Sequence, residues 1–175
     1  MALTLGEFIM TATTATPATK ASLGALIGAI VLGGIIAGPI DILAAALINM
    51  APPGIILQAV AKGLLGPASF KGGAQSMELG AVLQVGMALI ISAIYGLASL
   101  KLPNLYRKPL PWGLLYGAGV YVVMTFVVVP LSAAKSSHFP SLKSIALNLL
   151  AMFLFGLILS FTGWVMVGRR GANAA

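Results

Sequence analysis

The sequence predicts an all-α, polytopic membrane protein with four transmembrane helices, and three observations carry that expectation. Of 175 residues, 59% are hydrophobic and only 7% are charged, where soluble domains carry about 25%. Four apolar stretches reach the ~20 residues that a helix needs to cross hydrocarbon. None alternates with period two as barrel strands do. Backbone N–H and C=O groups in lipid must then be satisfied within each segment, which leaves the helix. Disorder is excluded by the same hydrophobic content.

The first stretch runs from about Ala21 to Met50. That length of helix extends about 45 Å against a core of about 30 Å, so it must tilt or bend. It contains Gly38-Pro39, and proline removes a helical N–H and crowds the preceding turn. The expectation is a kinked first helix. The other arrangement is a helix broken at Gly38 and restarted with Pro39 as its first residue. Ala51-Pro52-Pro53-Gly54 forces a turn. In residues 55–65, Gln58 and Lys62 stand four apart on one helical face amid apolar neighbours. This predicts a short interfacial helix, on the membrane or against the bundle mouth. Gly66 to Ser76 reads as loop.

The second span is expected from about Leu79 to Leu100, the third from about Trp112 to Leu131, and the fourth from about Ser144 to Val167. The organisation is therefore an N-terminal polar segment at 1–20, a four-helix transmembrane domain at 21–167 and a basic tail at 168–175. A cleaved signal peptide is not expected. In residues 1–20 only Lys20 is basic, Glu7 offsets it, and the apolar stretch exceeds the usual length of about 7–15 residues.

The formal net charge is +7, but the basic residues stand singly or in pairs with no stripe or aromatic platform, which argues against nucleic-acid binding. They flank the spans instead. With four crossings, Lys20, Lys101, Arg107, Lys108, Arg169 and Arg170 share one side, and Lys62, Lys71, Lys135 and Lys143 the other. The positive-inside bias then places both termini in the cytoplasm. Trp112 and Trp164 fall at the same interface, where indole rings prefer to sit, beside the anchors Arg107, Lys108, Arg169 and Arg170.

The absence of cysteine removes disulfides, thiolate metal sites and thiol nucleophiles together. The single histidine, His138, lies in a polar loop and cannot build a multi-histidine site within one chain. There is no Gly-x-Ser-x-Gly elbow, P-loop or dinucleotide fingerprint. No enzymatic activity, cofactor or metal is expected.

Asp41 is the foremost candidate for function, because an acid in a span costs about 2.5–3.5 kcal/mol on insertion scales. It is expected to cap the helix near Pro39, its carboxylate held by free N–H groups. The other reading makes it a proton or cation site. Glu78, expected in the first turn of the second span behind Ser76 as N-cap, could alternatively pair with Asp41 as a two-carboxylate site. Asn49, Asn148 and Thr125 are expected to hydrogen-bond between helices. Gly24 with Gly28, Gly34 with Gly38, and Gly113 with Gly117 stand four apart. Each pair forms a small-residue face for helix packing, inside the bundle or between copies.

One stretch, Gly86 to Pro140, resembles a known family. The second span ends in Ile94-Tyr95-Gly96-Leu97 and is followed by the basic loop Leu102-Pro103-Asn104-Leu105-Tyr106-Arg107-Lys108. The third opens Trp112-Gly113-Leu114-Leu115-Tyr116-Gly117-Ala118 and closes in Val129-Pro130-Leu131 before a proline-containing loop. In this order of features the chain resembles the YagU-like family of small bacterial inner-membrane proteins. The resemblance implies a bacterial inner membrane and four helices, and it transfers no site residue.

Two functions fit these features. The first is a non-catalytic accessory or scaffold subunit, whose partners are the bilayer and other membrane subunits or further copies of itself. The second is a small oligomeric proton- or cation-coupled transporter or channel that uses Asp41.

Overall fold

A computed structural model describes residues 23–102, 104–134 and 141–168. The N-terminal segment with Lys20, the loop with Lys135 and His138, and the tail residues Arg169 and Arg170 lie outside the described residues. The order is α1 (Leu23–Asn49), α2 (Pro53–Leu65), a 3₁₀ turn (Gly66–Lys71), α3 (Gly73–Lys101), α4 (Asn104–Arg107), α5 (Pro109–Leu131) and α6 (Leu142–Gly168). No strand occurs among the described residues. Four of these helices, α1, α3, α5 and α6, are long and apolar enough to cross a membrane. The fold is all-α and polytopic.

The first helix does not restart at Gly38-Pro39: α1 is continuous, with Pro39 inside it. Pro39 is on the exposed side, so its ring points away from the bundle and its missing N–H removes one intrahelical bond only. The helix stops at Met50, whose left-handed φ of 52° turns the chain, and the Ala51 N–H returns to the Ala46 carbonyl at 3.0 Å. Pro52 and Pro53 then forbid continuation.

α2 packs onto the bundle rather than lying alone on a surface. Ile56 is buried with Ile42 and Ala46 of α1, and the buried Gln58 donates from Nε2 to the Gly73 carbonyl at 3.2 Å. Gly80 of α3 leaves room for the Leu57 backbone, where any Cβ would collide. The expected loop from Gly66 to Ser76 is replaced by the 3₁₀ turn and the first turn of α3. This helix begins at Gly73 because its positive φ of 54° is open to glycine. Ser76 is consequently not an N-cap: it lies inside α3, buried.

α1 lies between α3 and α6, and α5 packs on the far side of α6. Small residues build these seams. Ala25, Ala29, Gly33 and Ala37 recur every four positions on the buried face of α1. A Cβ at Gly34 would sit 3.1 Å from the Leu89 Cα, and one at Gly38 would sit 3.2 Å from the Ala88 Cβ. Between α5 and α6, Gly113 and Gly117 meet Gly156 backbone to backbone. Gly28 faces Met166. Gly24 departs from the expected packing role: it is exposed with no atom within 4 Å, because the face it shares with Leu23 and Ile27 points outward.

α3 and α5 meet only through long side chains. At the end where α3 stops and α5 starts, Tyr95 stacks edge-on to Tyr106 at 5.4 Å and tilts against Tyr116 at 4.7 Å. The Tyr116 hydroxyl crosses from α5 to donate to the Ile91 carbonyl of α3 at 2.6 Å. The Tyr95 hydroxyl shares its proton between the Leu105 carbonyl and Ser160 Oγ, both at 2.9 Å, and Ser160 donates onward to the Pro109 carbonyl at 2.8 Å. This satisfies buried polar groups that would otherwise cost about 1–3 kcal/mol each. Burial, with Tyr95 alongside, pushes the Tyr106 phenol up to about 12 against the lowering hydrogen bond from Ser99. Trp112 and Trp164, both half-buried, and the exposed Arg107 and Lys108 lie at this same end.

Candidate functional site

Away from the tyrosines, the space between α3 and α5 is unfilled. It forms a half-open cleft of about 240 Å³ to which all four spanning helices contribute: Asp41 from α1, Gln84, Met87 and Ile91 from α3, Tyr121, Met124 and Thr125 from α5, and Asn148, Met152 and Phe155 from α6. Asp41 stands eight residues before the end of α1, about 12 Å along the axis, and Gln84 eleven residues into α3, about 16 Å. The cleft therefore lies toward the α2 end and inside the spanning length of the helices.

Asp41 is held from a neighbouring helix. Gln84 Nε2 donates to Asp41 Oδ2 at 2.9 Å and to the Gly38 carbonyl at 3.3 Å. The expected cap is thus corrected: α1 has no free N-terminus at Pro39 to offer N–H groups, so the carboxylate takes a side-chain donor across the α1–α3 seam. The small face at Gly34 and Gly38 makes this reach possible by bringing α3 close.

Glu78 does not join Asp41. It is exposed, does not line the cleft, and precedes Gln84 by six residues, about 9 Å along α3. The amides of Asn49 and Asn148 bond within their own helices rather than between helices, to the Ala45 carbonyl at 2.8 Å and the Ser144 carbonyl at 2.7 Å. Asn148 and Thr125 nonetheless line the cleft with Asp41.

The sequence reading gave Gln84 no role, although an amide inside an apolar span carries the same signal as an acid there. It also missed how α5 widens beside the cleft. At Met124–Val128 the helix takes a π-turn, in which the Val129 N–H bonds to the Met124 carbonyl five residues back. Pro130 follows immediately and has no N–H to continue the regular pattern. Single π-turns of this kind re-aim side chains and recur at functional sites, and here Met124 and Thr125 face the cleft.

Among the described residues, no group of three His, Cys, Asp or Glu side chains could hold a metal ion. What the arrangement offers is one carboxylate, oriented by an amide, on the wall of a largely apolar recess. Comparison of the chain with protein-family models, curated proteins and solved structures returns no match, and nothing in it bears on the YagU-like resemblance.

Proposed function

We propose that this chain is a small multi-pass transporter in which the Asp41 carboxylate holds a proton or a cation by turns. One observation carries the reading: Asp41 faces a half-open cleft among all four spanning helices instead of closing a helix end. An acid within a span is costly, and a binding role accounts for its presence where a structural cap does not. Gln84 orients the carboxylate through Oδ2, and a carboxylate has further lone pairs for a proton or a cation. The role is binding and release, with no covalent step.

The resemblance of residues 86–140 supports a bacterial inner membrane as its location. The basic residues, six against four, support cytoplasmic termini. Oligomerisation, where it occurs, has the outward face of α1 around Gly24 available to it. That same face supports the second reading, an accessory subunit packed against a larger complex, which co-purification in mild detergent would test.

The transport reading is tested with purified protein in liposomes containing a pH-sensitive dye. Imposed gradients of sodium, potassium and small organic ammonium ions should drive counterflow of protons in the wild type. Asp41→Asn should abolish it without lowering the melting temperature. A wild type that moves none of these ions, or an Asp41→Asn variant that moves them equally well, overturns the proposal.

A further inference from the structure

Asp41 is the single formal charge on the cleft wall, and the other polar groups around it are neutral: Gln84, Thr125 and Asn148. Much of the remaining surface is thioether and aromatic, from Met87, Met124 and Met152 and from Tyr121 and Phe155. Hard cations want the opposite surroundings. Calcium takes about 6–8 oxygen ligands and magnesium a near-ideal octahedron, whereas most helix carbonyls here are engaged in their own ladders. A single negative charge on an apolar wall matches a single positive charge carried on an apolar body. Aromatic faces attract quaternary ammonium groups, and unbranched methionines fit themselves to irregular apolar shapes.

Size narrows the class further. A recess of about 240 Å³ has room for about eight waters at ~30 Å³ each. One aromatic ring with a small ammonium group fits that space, and several rings do not. The gap between α3 and α5, which no backbone packing closes, gives such a molecule a way in from the bilayer, where it partitions readily.

We infer that the cleft binds a small hydrophobic monocation, an aromatic ammonium, with its charge at Asp41 and its ring among Met124, Met152, Tyr121 and Phe155. This rests on the reading of Asp41 as a cation site and names the ligand class that the site takes.

Equilibrium dialysis of the full-length protein in detergent against radiolabelled benzyltrimethylammonium tests it. Saturable binding is expected, tighter as pH rises because protons compete for the carboxylate. Asp41→Asn should weaken it by about thirtyfold or more, and Tyr121→Leu by a smaller factor. The neutral isostere neopentylbenzene should bind wild type at least about thirtyfold more weakly, a comparison that needs no variant. Tetraphenylphosphonium, too large for the recess, should not compete. Equal binding of the neutral isostere would make the cleft an apolar groove and overturn the inference. So would displacement of the probe by sodium or potassium, or by silver ions bound through methionine. If alkali ions drive proton counterflow in liposomes but benzyltrimethylammonium does not bind, the ligand class is wrong and the transport reading stands. If neither occurs, both fall.

Discussion

Gln84 links two helices through one amide: its Nε2 lies 2.9 Å from Asp41 Oδ2 and 3.3 Å from the Gly38 carbonyl. The acid of α1 and the backbone just before Pro39 are thereby tied to the same point on α3. A buried polar group keeps its place only while its partners are present.

Replacing that amide tests the link. Gln84→Leu removes the donor and leaves the Asp41 carboxylate without it in an apolar recess. The expected loss is about 1–3 kcal/mol, read as a lower melting temperature in detergent. Asp41→Asn in the same background should recover part of the loss, since a neutral amide costs less to bury than an unpaired carboxylate. No recovery would mean that Gln84 acts through packing alone.

The glycines separate into those that a methyl group would disrupt and those that it would not. A Cβ at Gly156 would fall 2.8 Å from the Gly117 nitrogen, so Gly156→Ala must push α5 and α6 apart. Overpacking of this kind costs about 1–3 kcal/mol. Gly24 has no atom within 4 Å of an added Cβ, and Gly24→Ala in a helix should be neutral or stabilising by about 0.5–1 kcal/mol. Thermal melting of the two single variants checks both signs.

Tyr106 predicts an alkaline limit. Its phenol is raised from 10.0 to about 12, chiefly by burial. Because the folded protein holds that proton more tightly, the associated stability is fully present below pH 10. It is lost as pH rises through the window from 10.0 to about 12. The loss attributable to this group should be roughly 2 kcal/mol. Tyr106→Phe should flatten that part of the melting curve against pH, whereas a variant that keeps the full slope would exclude Tyr106 as its source.

Topology is tested by reporter fusions placed after Ala175 and within residues 66–73. The six-to-four basic distribution predicts a C-terminal reporter active only when it is of the cytoplasmic kind, and the reverse in the α2–α3 connection. A periplasm-specific reporter that works after Ala175 would reverse the assignment.

The spans were legible because length and hydropathy answer directly to bilayer thickness. Observed α5 and α6 begin only two or three residues before their sequence-based starts at Trp112 and Ser144. Residues 66–76 misled because Gly72-Gly73 reads as loop, while glycine with positive φ serves equally well to open a helix. Asp41 stood out as the costly residue of its span, but its partner did not: Gln84 is distant in sequence, and only the seam between α1 and α3 brings the two together. The Tyr95–Ser160 bond, spanning 65 positions, was illegible for the same reason.

The glycine seam of α5 and α6 has a mechanical consequence. Where Gly113, Gly117 and Gly156 touch, no side chain stands between the backbones, so there are no rotamers whose rearrangement could absorb a displacement. The two helices behave as a single beam. On the opposite flank of the cleft, α3 reaches α5 through the rotatable rings of Tyr95 and Tyr116, which act as compliant struts. Any breathing that admits or releases a ligand is therefore borne by the tyrosine side, with the beam as its fixed reference.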